Sequence, residues 1–118
     1  MKNQKTFSDL EFADHDVVNG GVQATLELGN ELTASVVSMK KAERFGGLYG
    51  NASEGTYEVA VFQKGTMLPL NATDDVRGWQ TEDDLNELFA QLQGDGFQQV
   101  IDEMFLAKRR WNEELLAD

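Results

Sequence analysis

The chain has no cysteine, one proline and one histidine in 118 residues. Without thiols, disulfide bonds and thiolate chemistry are excluded, and a cytosolic location is the default expectation. No run of about 18 apolar residues occurs, so the sequence predicts no membrane-spanning helix. The first residues, MKNQKTFSDLEF, contain no apolar stretch of signal-peptide length, so we expect no secretory signal.

Basic residues are also scarce, because ten lysines and arginines stand against 21 aspartates and glutamates and give a net charge of −11. Direct binding to a nucleic-acid backbone needs Lys and Arg side chains, so nucleic acid is not an expected ligand. The charge is uneven, with −4 on residues 1–78 and −7 on residues 79–118. The C-terminal end is therefore the more negative part of the chain.

The clearest local pattern is a capped amphipathic helix that begins after Thr81. Asp84 follows three residues later, which is a variant of the capping box in which Glu or Gln is usual. Apolar residues then recur at i, i+3, i+4 and i+7, on one helix face: Leu85, Leu88, Phe89 and Leu92. We predict that Gly94 and Gly96 end this helix in the left-handed conformation. A second helix begins near Phe97, and the short link makes the two helices antiparallel.

The first two thirds of the chain alternate apolar and polar residues, which is the period of β-strands. Five segments show it, the first being either a short strand or an extended lead-in: residues 10–12, 22–28, 32–36, 56–63 and 66–70. The pair Val36-Val37 interrupts the alternation and suggests a β-bulge. Residues 40–55 have no clear period and are predicted to form a long loop, and residues 71–78 are predicted to cross to the helices.

Two turns set the strand register. At the first turn, which contains Gly29, a two-residue loop would place apolar residues opposite polar ones. A three-residue loop instead pairs Leu28 with Leu32 and Leu26 with Ala34, so we predict the three-residue loop.

The second turn, at Lys64-Gly65, fits a two-residue loop, which pairs three apolar couples: Val61 with Leu68, Val59 with Leu70 and Phe62 with Met67. Since both faces of this hairpin carry apolar groups, we expect it to lie centrally or under the helices. Pro69 favours an edge or an ending for the last strand.

Strands followed by helices are typical of an α+β fold. We predict one domain over residues 1–118, with an antiparallel sheet of about four to five strands in residues 9–70. Two antiparallel C-terminal helices, within residues 81–116, are expected to pack on one face of that sheet.

His15 lies between Asp14 and Asp16, and these three side chains are of types that bind divalent metals. Adjacent residues in an extended segment point in opposite directions, however, and the chain has no second histidine and no cysteine. A solvated turn is the favoured interpretation, and we predict no metal and no cofactor.

An acidic cluster surrounds the start of the first predicted helix: Asp74, Asp75, Glu82, Asp83, Asp84 and Glu87. It lacks the alternating oxygen ligands, central glycine and closing glutamate of a calcium loop. Helix capping and a solvated helix face are the favoured roles.

The glycine-rich segment at residues 46–50 matches no nucleotide-binding pattern. With Phe45 and Tyr49 it is either a recognition loop or a plain connector, and the sequence leaves both open. Trp79 and Trp111 are expected in the core rather than as partner anchors, because aromatic residues dominate core burial. Nothing in the sequence supports nucleophilic catalysis, so we predict that the protein is not an enzyme.

Four segments together resemble a loose group of small proteins encoded by tailed bacteriophages: FSDLEF, GGVQATLEL, LYGNASEGTYEVAVF and TDDVRGWQTEDDL. The resemblance covers residues 7–92, and its most specific part is TDDV-x-G-x-x-TEDD. The group has no known function, so it implies no catalytic residue, and this chain departs from shorter members by its helix after Gly96. The layout is also similar to phage anti-CRISPR proteins in which two antiparallel helices follow a sheet, although layout alone is poor evidence for function.

The preferred hypothesis is a non-enzymatic phage accessory protein in the cytoplasm of the infected host cell. It would bind a host protein, as an inhibitor or as a decoy that mimics nucleic acid, because a negative helical face is attracted to a basic groove. The predicted partner-binding residues are Glu82, Asp83, Glu87, Asp102, Glu103, Phe45 and Tyr49, with Glu113 and Glu114 extending the face.

Two alternatives remain. The first is a homo-oligomeric structural or scaffolding protein that forms a homodimer through the C-terminal helix. It rests on a near-heptad apolar run: Phe97, Ile101, Met104, Trp111 and Leu115. The second, ranked last, is a metal- or ligand-binding enzyme that uses the acidic cluster or the glycine-rich segment.

Overall fold

A computed structural model describes residues 4–41, 48–71 and 74–116, without the side chains of Leu115 and Leu116. An antiparallel sheet is followed by two C-terminal helices, which confirms the predicted α+β class. The strands are β1 (Ala13–Asp14), β2 (Gly21–Gly29), β3 (Leu32–Met39), β4 (Tyr57–Gln63), β5 (Thr66–Met67) and β6 (Arg77–Gln80). The helices are α1 (Glu82–Gln93) and α2 (Phe97–Leu116), and two short 3-10 turns lie at Phe7–Asp9 and Ala52–Glu54.

Strands β1 to β4 are neighbours in chain order, and both β5 and β6 pair with β4. Strand β5 pairs with the C-terminal end of β4, whereas β6 pairs with its N-terminal end. Strand β6 begins within residues 71–78, the segment predicted as a plain crossing to the helices, so that prediction is wrong at residues 77 and 78. Its sequence, RGWQ, carries no apolar alternation, and the pairing is decided by the open side of β4.

The first turn differs from the predicted three-residue loop. Gly29 pairs with Leu32, so the loop contains only Asn30 and Glu31. Both residues have positive φ angles, +56° and +64°, as a type I′ hairpin turn requires.

A β-bulge between Glu27 and Gly29 absorbs the residue that the predicted loop would have contained. The predicted pairing of Leu28 with Leu32 is therefore wrong, while that of Leu26 with Ala34 is confirmed. The bulge keeps the apolar residues on both sides of the turn buried on one face, which is the result that the three-residue loop was expected to give.

The bulge predicted at Val36-Val37 is absent, because both residues pair in continuous register with β2 and β4. Val36 is fully buried and Val37 is half-buried on the opposite face. The side chains of β3 therefore continue to alternate between the two faces of the sheet, and only the alternation of apolar and polar residues in the sequence is interrupted.

The second turn agrees with its prediction. Phe62 pairs with Met67 across Lys64-Gly65, and the Leu68 amide donates to the Val61 carbonyl at 2.8 Å. Strand β5 ends before Pro69, as expected for a residue without an amide hydrogen.

The predicted pairing of Val59 with Leu70 is wrong, since Val59 pairs with Arg77 of β6. The chain leaves the ladder at the proline, which frees this part of β4 for β6.

The core lies between one face of the sheet and the helices, as predicted. Every second residue of the central strands contributes to it: Ala24, Leu26, Leu32, Ala34, Val36, Val59 and Val61. Helix α1 adds its four predicted apolar residues, and α2 adds Ile101 and Met104. Side chains of α2 from Phe105 to Glu114 are all exposed, so only the first half of α2 is anchored in the core.

The capping box of α1 is confirmed. The Thr81 hydroxyl accepts from the Asp84 amide at 3.2 Å, and the Asp84 carboxylate accepts from the Thr81 amide at 2.9 Å. The hydrogen bond from the Thr81 amide, and after it the Thr81 side chain, hold the pKa of the Asp84 carboxyl below its ordinary value, since both stabilise its ionised form. Helix α1 ends before Gly94, as predicted, but Gly94 is extended at φ −78° and ψ 171° rather than left-handed.

Candidate protein-binding site

A β-bulge in β6 shapes the most distinctive surface of the described structure. Tyr57 pairs with Gln80 and Val59 pairs with Arg77, so that Gly78 and Trp79 together lie opposite the single residue Glu58. Trp79 has a φ angle of +56°, a conformation that bulky residues seldom adopt. Bulges redirect side chains out of the regular alternation, and this one leaves Trp79 59% exposed.

Tyr49 lies against the bulge and satisfies its backbone. The Trp79 amide donates to the Tyr49 carbonyl at 2.8 Å. A Cβ atom at Gly78 would lie 2.6 Å from the Tyr49 Cβ, so the close approach of these segments requires glycine. Tyr49 is itself 55% exposed, and the structure thus presents two exposed aromatic residues on adjoining backbone segments.

The backbone on the C-terminal side of Tyr49 is fixed to the sheet. The Met39 amide donates to the Gly50 carbonyl, and Asn51 forms a parallel bridge with Met39. The buried Ser38 hydroxyl donates to the Thr56 carbonyl at 2.7 Å. The backbone that directly follows Tyr49 is therefore held against β3.

A partly buried carboxylate, that of Glu58, lies next to Tyr49. The Glu58 carboxylate accepts from the Tyr49 amide at 3.4 Å. Burial raises the pKa of Glu58 above its ordinary value, the Tyr49 hydrogen bond opposes this shift, and the negative charge of Asp74 adds to it. Tyr57, the residue before Glu58, also has a raised pKa. Burial is the larger cause, and the negative charge of Glu82 adds to it.

Arg77 is a basic residue on the same strand, but it is engaged elsewhere. Its Nε and Nη2 atoms donate to the Leu70 carbonyl at 3.1 and 3.0 Å. The guanidinium thereby ties together the two ends of the segment that joins β5 to β6.

The sequence-predicted acidic residues are exposed on the two helices, with Glu82, Asp83 and Glu87 on α1 and Asp102 and Glu103 on α2. Gln98 and Gln99 donate to the two α2 carboxylates along the helix. Within residues 4–41, 48–71 and 74–114, no lysine or arginine forms a salt bridge with any of the five.

The predicted recognition loop is described only at its end. Tyr49 is exposed as that hypothesis requires, whereas Phe45 lies outside the described residues. The structure brings Tyr49 to Trp79 and Glu58, a grouping that the sequence did not indicate.

The prediction of core positions for the tryptophans is wrong. Trp79 is redirected by the bulge, and Trp111 is 39% exposed on the part of α2 that extends past the core. A glycine directly before a tryptophan was the available signal for the first, because glycine within a strand marks a bulge or a close backbone approach.

The remaining candidates have local structural roles. The His15 Nδ1 atom accepts from the Val17 and Val18 amides at 3.1 and 3.0 Å, which closes the predicted turn. The Asp74 carboxylate accepts from the Asp75 amide at 2.7 Å. In the described part of the chain, no three His, Asp or Glu side chains are grouped to hold a metal ion, and neither helix has the length and apolarity needed to cross a bilayer.

Comparison of the chain with protein-family models, curated proteins and solved structures finds no match.

Proposed function

We propose that this chain is a non-enzymatic phage accessory protein that binds a basic host protein in the cytoplasm of the infected cell. The observation that carries the proposal is the exposure of Glu82, Asp83 and Glu87 on α1 and of Asp102 and Glu103 on α2. These carboxylates have no salt-bridge partner among the described side chains, so their charge is available to a second molecule.

The charge has a physical consequence for association. A net charge of −11 on a small protein produces a field that attracts a positively charged surface before contact. Such attraction raises association rates and is weakened by salt, because the screening length falls to about 8 Å at physiological ionic strength. A groove that normally holds nucleic acid is rich in lysine and arginine, so the exposed helices suit an inhibitor that occupies such a groove as a decoy.

The test is a tagged pull-down from host lysate at low and high salt, with mass spectrometry of the retained proteins. A helix variant carries Glu82→Lys, Asp83→Lys and Glu87→Lys. A matched control carries the same change in net charge at exposed residues of the sheet region, namely Glu11→Lys, Glu27→Lys and Glu54→Lys.

We expect the wild-type protein to retain one host protein at low salt and to lose it at high salt. The control variant should retain the same protein, and the helix variant should not. Equal retention by the helix variant and the wild-type protein at low salt would contradict the electrostatic mechanism.

A second candidate function is homo-oligomeric scaffolding through α2. It is favoured by exposed apolar side chains beyond the anchored half of that helix: Phe105, Leu106 and Trp111. Sedimentation at tens of micromolar distinguishes the two functions, since a scaffolding protein would show at least a dimer mass and the proposed binding protein a monomer mass.

A further inference from the structure

We infer that Trp79 and Tyr49 form a site for an arginine side chain of the bound partner, with the Glu58 carboxylate as its counter-charge. The inference rests on the proposed function, because it names the contact by which a basic partner is held after electrostatic encounter. It concerns a different surface from the acidic residues predicted on the two helices.

The backbone of Trp79 is strained at the position that exposes its side chain. A φ angle of +56° is unfavourable for a residue with a large side chain, and asparagine or glycine would occupy this position with less strain. The strained conformation does not serve core packing, because the indole is mostly exposed. Strain of this kind persists where it positions a side chain for function, and here it directs an aromatic surface toward solvent.

The backbones of Tyr49 and Trp79 hold each other in place. Gly78 allows Tyr49 to approach the bulge, and the Tyr49 carbonyl accepts the Trp79 amide that the bulge removes from the ladder. The position of each aromatic residue therefore depends on the other's backbone. Little conformational freedom is lost when a ligand binds to a surface organised in this way.

The side chains at this site match the chemistry of a guanidinium group. The face of an indole or phenol ring attracts cations, and tryptophan does so best. Glu58 supplies a partly buried carboxylate next to Tyr49, and its pKa is raised by burial, so a neighbouring cation would stabilise its ionised form. Arginine suits such a site because its planar guanidinium stacks on aromatic rings while donating to a carboxylate.

The surrounding charge selects the occupant. The negative charges of Asp74 and Glu82 act on Glu58 and Tyr57, while the one basic side chain of β6, Arg77, is engaged by the Leu70 carbonyl. Phosphate groups and acidic peptides are repelled there, whereas a cationic side chain is attracted. Arginine, with tryptophan and tyrosine, is also among the residues that contribute most to protein–protein affinity.

The test uses the two indole N–H signals in a proton–nitrogen NMR spectrum of the full chain. The probe is the peptide acetyl-Gly-Arg-Gly-Arg-Gly-amide, and the control probe has glutamate in place of arginine. Trp111 is the matched internal control, since it is also exposed but lies on α2. Spectra of the Trp79→Asn and Trp111→Ala variants assign the two signals, and asparagine tolerates the positive φ angle at residue 79.

We expect the Trp79 signal to shift saturably with the arginine peptide, at least about threefold more than the Trp111 signal, and neither to shift with the glutamate peptide. The conservative variant Glu58→Gln should weaken the arginine-peptide affinity by about threefold or more, because the counter-charge is lost. Parallel shifts of both signals would indicate diffuse attraction to an acidic protein, and they would overturn the inference, as would the absence of a Trp79 shift.

The failure of this inference is distinguishable from the failure of the proposed function. If a host partner is captured and the Trp79→Asn variant binds it as tightly as the Trp111→Ala variant does, the arginine site is refuted and the acidic helices remain. If the wild-type protein binds no basic protein, the proposed function fails whatever the peptide titration shows. A loss of partner affinity of about tenfold or more in Trp79→Asn, with no such loss in Trp111→Ala, would support both the arginine site and the proposed function.

Discussion

Replacing Gly78 with alanine should disrupt the aromatic site while leaving the fold intact. The new Cβ atom would lie 2.6 Å from the Tyr49 Cβ and 3.3 Å from the Tyr49 carbonyl oxygen. Rotation of the Tyr49 ring does not relieve this contact, because both atoms lie at or next to the backbone. The segment around Tyr49 must therefore move, and the hydrogen bond from the Trp79 amide lengthens or breaks.

The magnitude follows from two opposing effects. Inserting a methyl group into a filled space costs about 1–3 kcal/mol. Replacing glycine by alanine also reduces the entropy of the unfolded chain, which favours folding by about 0.4–1 kcal/mol. The net loss for Gly78→Ala is thus between about 0 and 2.6 kcal/mol, with a midpoint of about 1.3 kcal/mol, or roughly 5 °C in Tm for a chain of this size.

Urea denaturation followed by far-ultraviolet circular dichroism measures this loss. Gly96→Ala is the matched control, because nothing lies within 4 Å of its added Cβ and its φ angle is not positive. We expect the control to be as stable as the wild-type protein or slightly more stable. If Gly78→Ala were as stable as Gly96→Ala, Tyr49 would not lie against Gly78 and the proposed aromatic site would lose its basis.

Three further predictions concern the fold around the site. Thr81→Ala removes the cap of α1 and should cost about 1 kcal/mol in urea denaturation, whereas Thr81→Ser should retain most of it, and equal losses would refute the capping role. Phe89→Ala should lower the free energy of unfolding by about 3–5 kcal/mol, because Phe89 is fully buried. Phe105 is exposed, so Phe105→Ala should lower it by less than about 0.5 kcal/mol, and similar losses in the two variants would contradict the placement of the core. Burial and the Asp74 charge raise the Glu58 pKa, so the folded state disfavours the ionised carboxylate. The contribution of Glu58 to the free energy of unfolding should therefore become more favourable to folding as the pH falls from the raised pKa toward the ordinary value of 4.5. Glu58→Gln should remove that contribution from the stability–pH profile, and an unchanged profile would show that Glu58 is not shifted.

Local signals made the helices predictable. The cap at Thr81 and the apolar period of α1 both involve residues within one or two helical turns, so their meaning does not depend on distant neighbours. The Lys64-Gly65 hairpin was predictable for the same reason, because the turn and the cross-strand pattern indicate one register.

Strand β6 and the bulges were not predictable in this way. The segment RGWQ contains one large apolar residue, Trp79, and therefore shows no strand period; that residue is exposed. The pairing of this segment depends on a free edge of β4, about twenty residues earlier in the chain. The first hairpin shows a related limit, since a bulge plus a two-residue turn and a three-residue loop bury the same leucines.

The candidate site was predictable only in its separate parts. Tyr49 was a candidate from its glycine-rich surroundings, and the acidic helix residues were candidates from their charge. Trp79 was assigned to the core because tryptophan is usually buried, and only the bulge reverses that expectation. The proximity of Tyr49, Glu58 and Trp79 is a tertiary property that arises where a loop, β4 and β6 meet.

In the proposed function, exposed carboxylates on α1 and α2 guide this protein to a basic partner. The most direct measurement is the association rate constant for the captured partner over a series of salt concentrations, for the wild-type protein, the helix charge-swap variant and the sheet-region control. We predict that the wild-type and control rates fall by about tenfold or more between low and high salt, and that the helix variant starts lower and changes little. A wild-type rate that does not depend on salt, or a helix variant with the same salt dependence as the wild-type protein, would show that these carboxylates do not guide association.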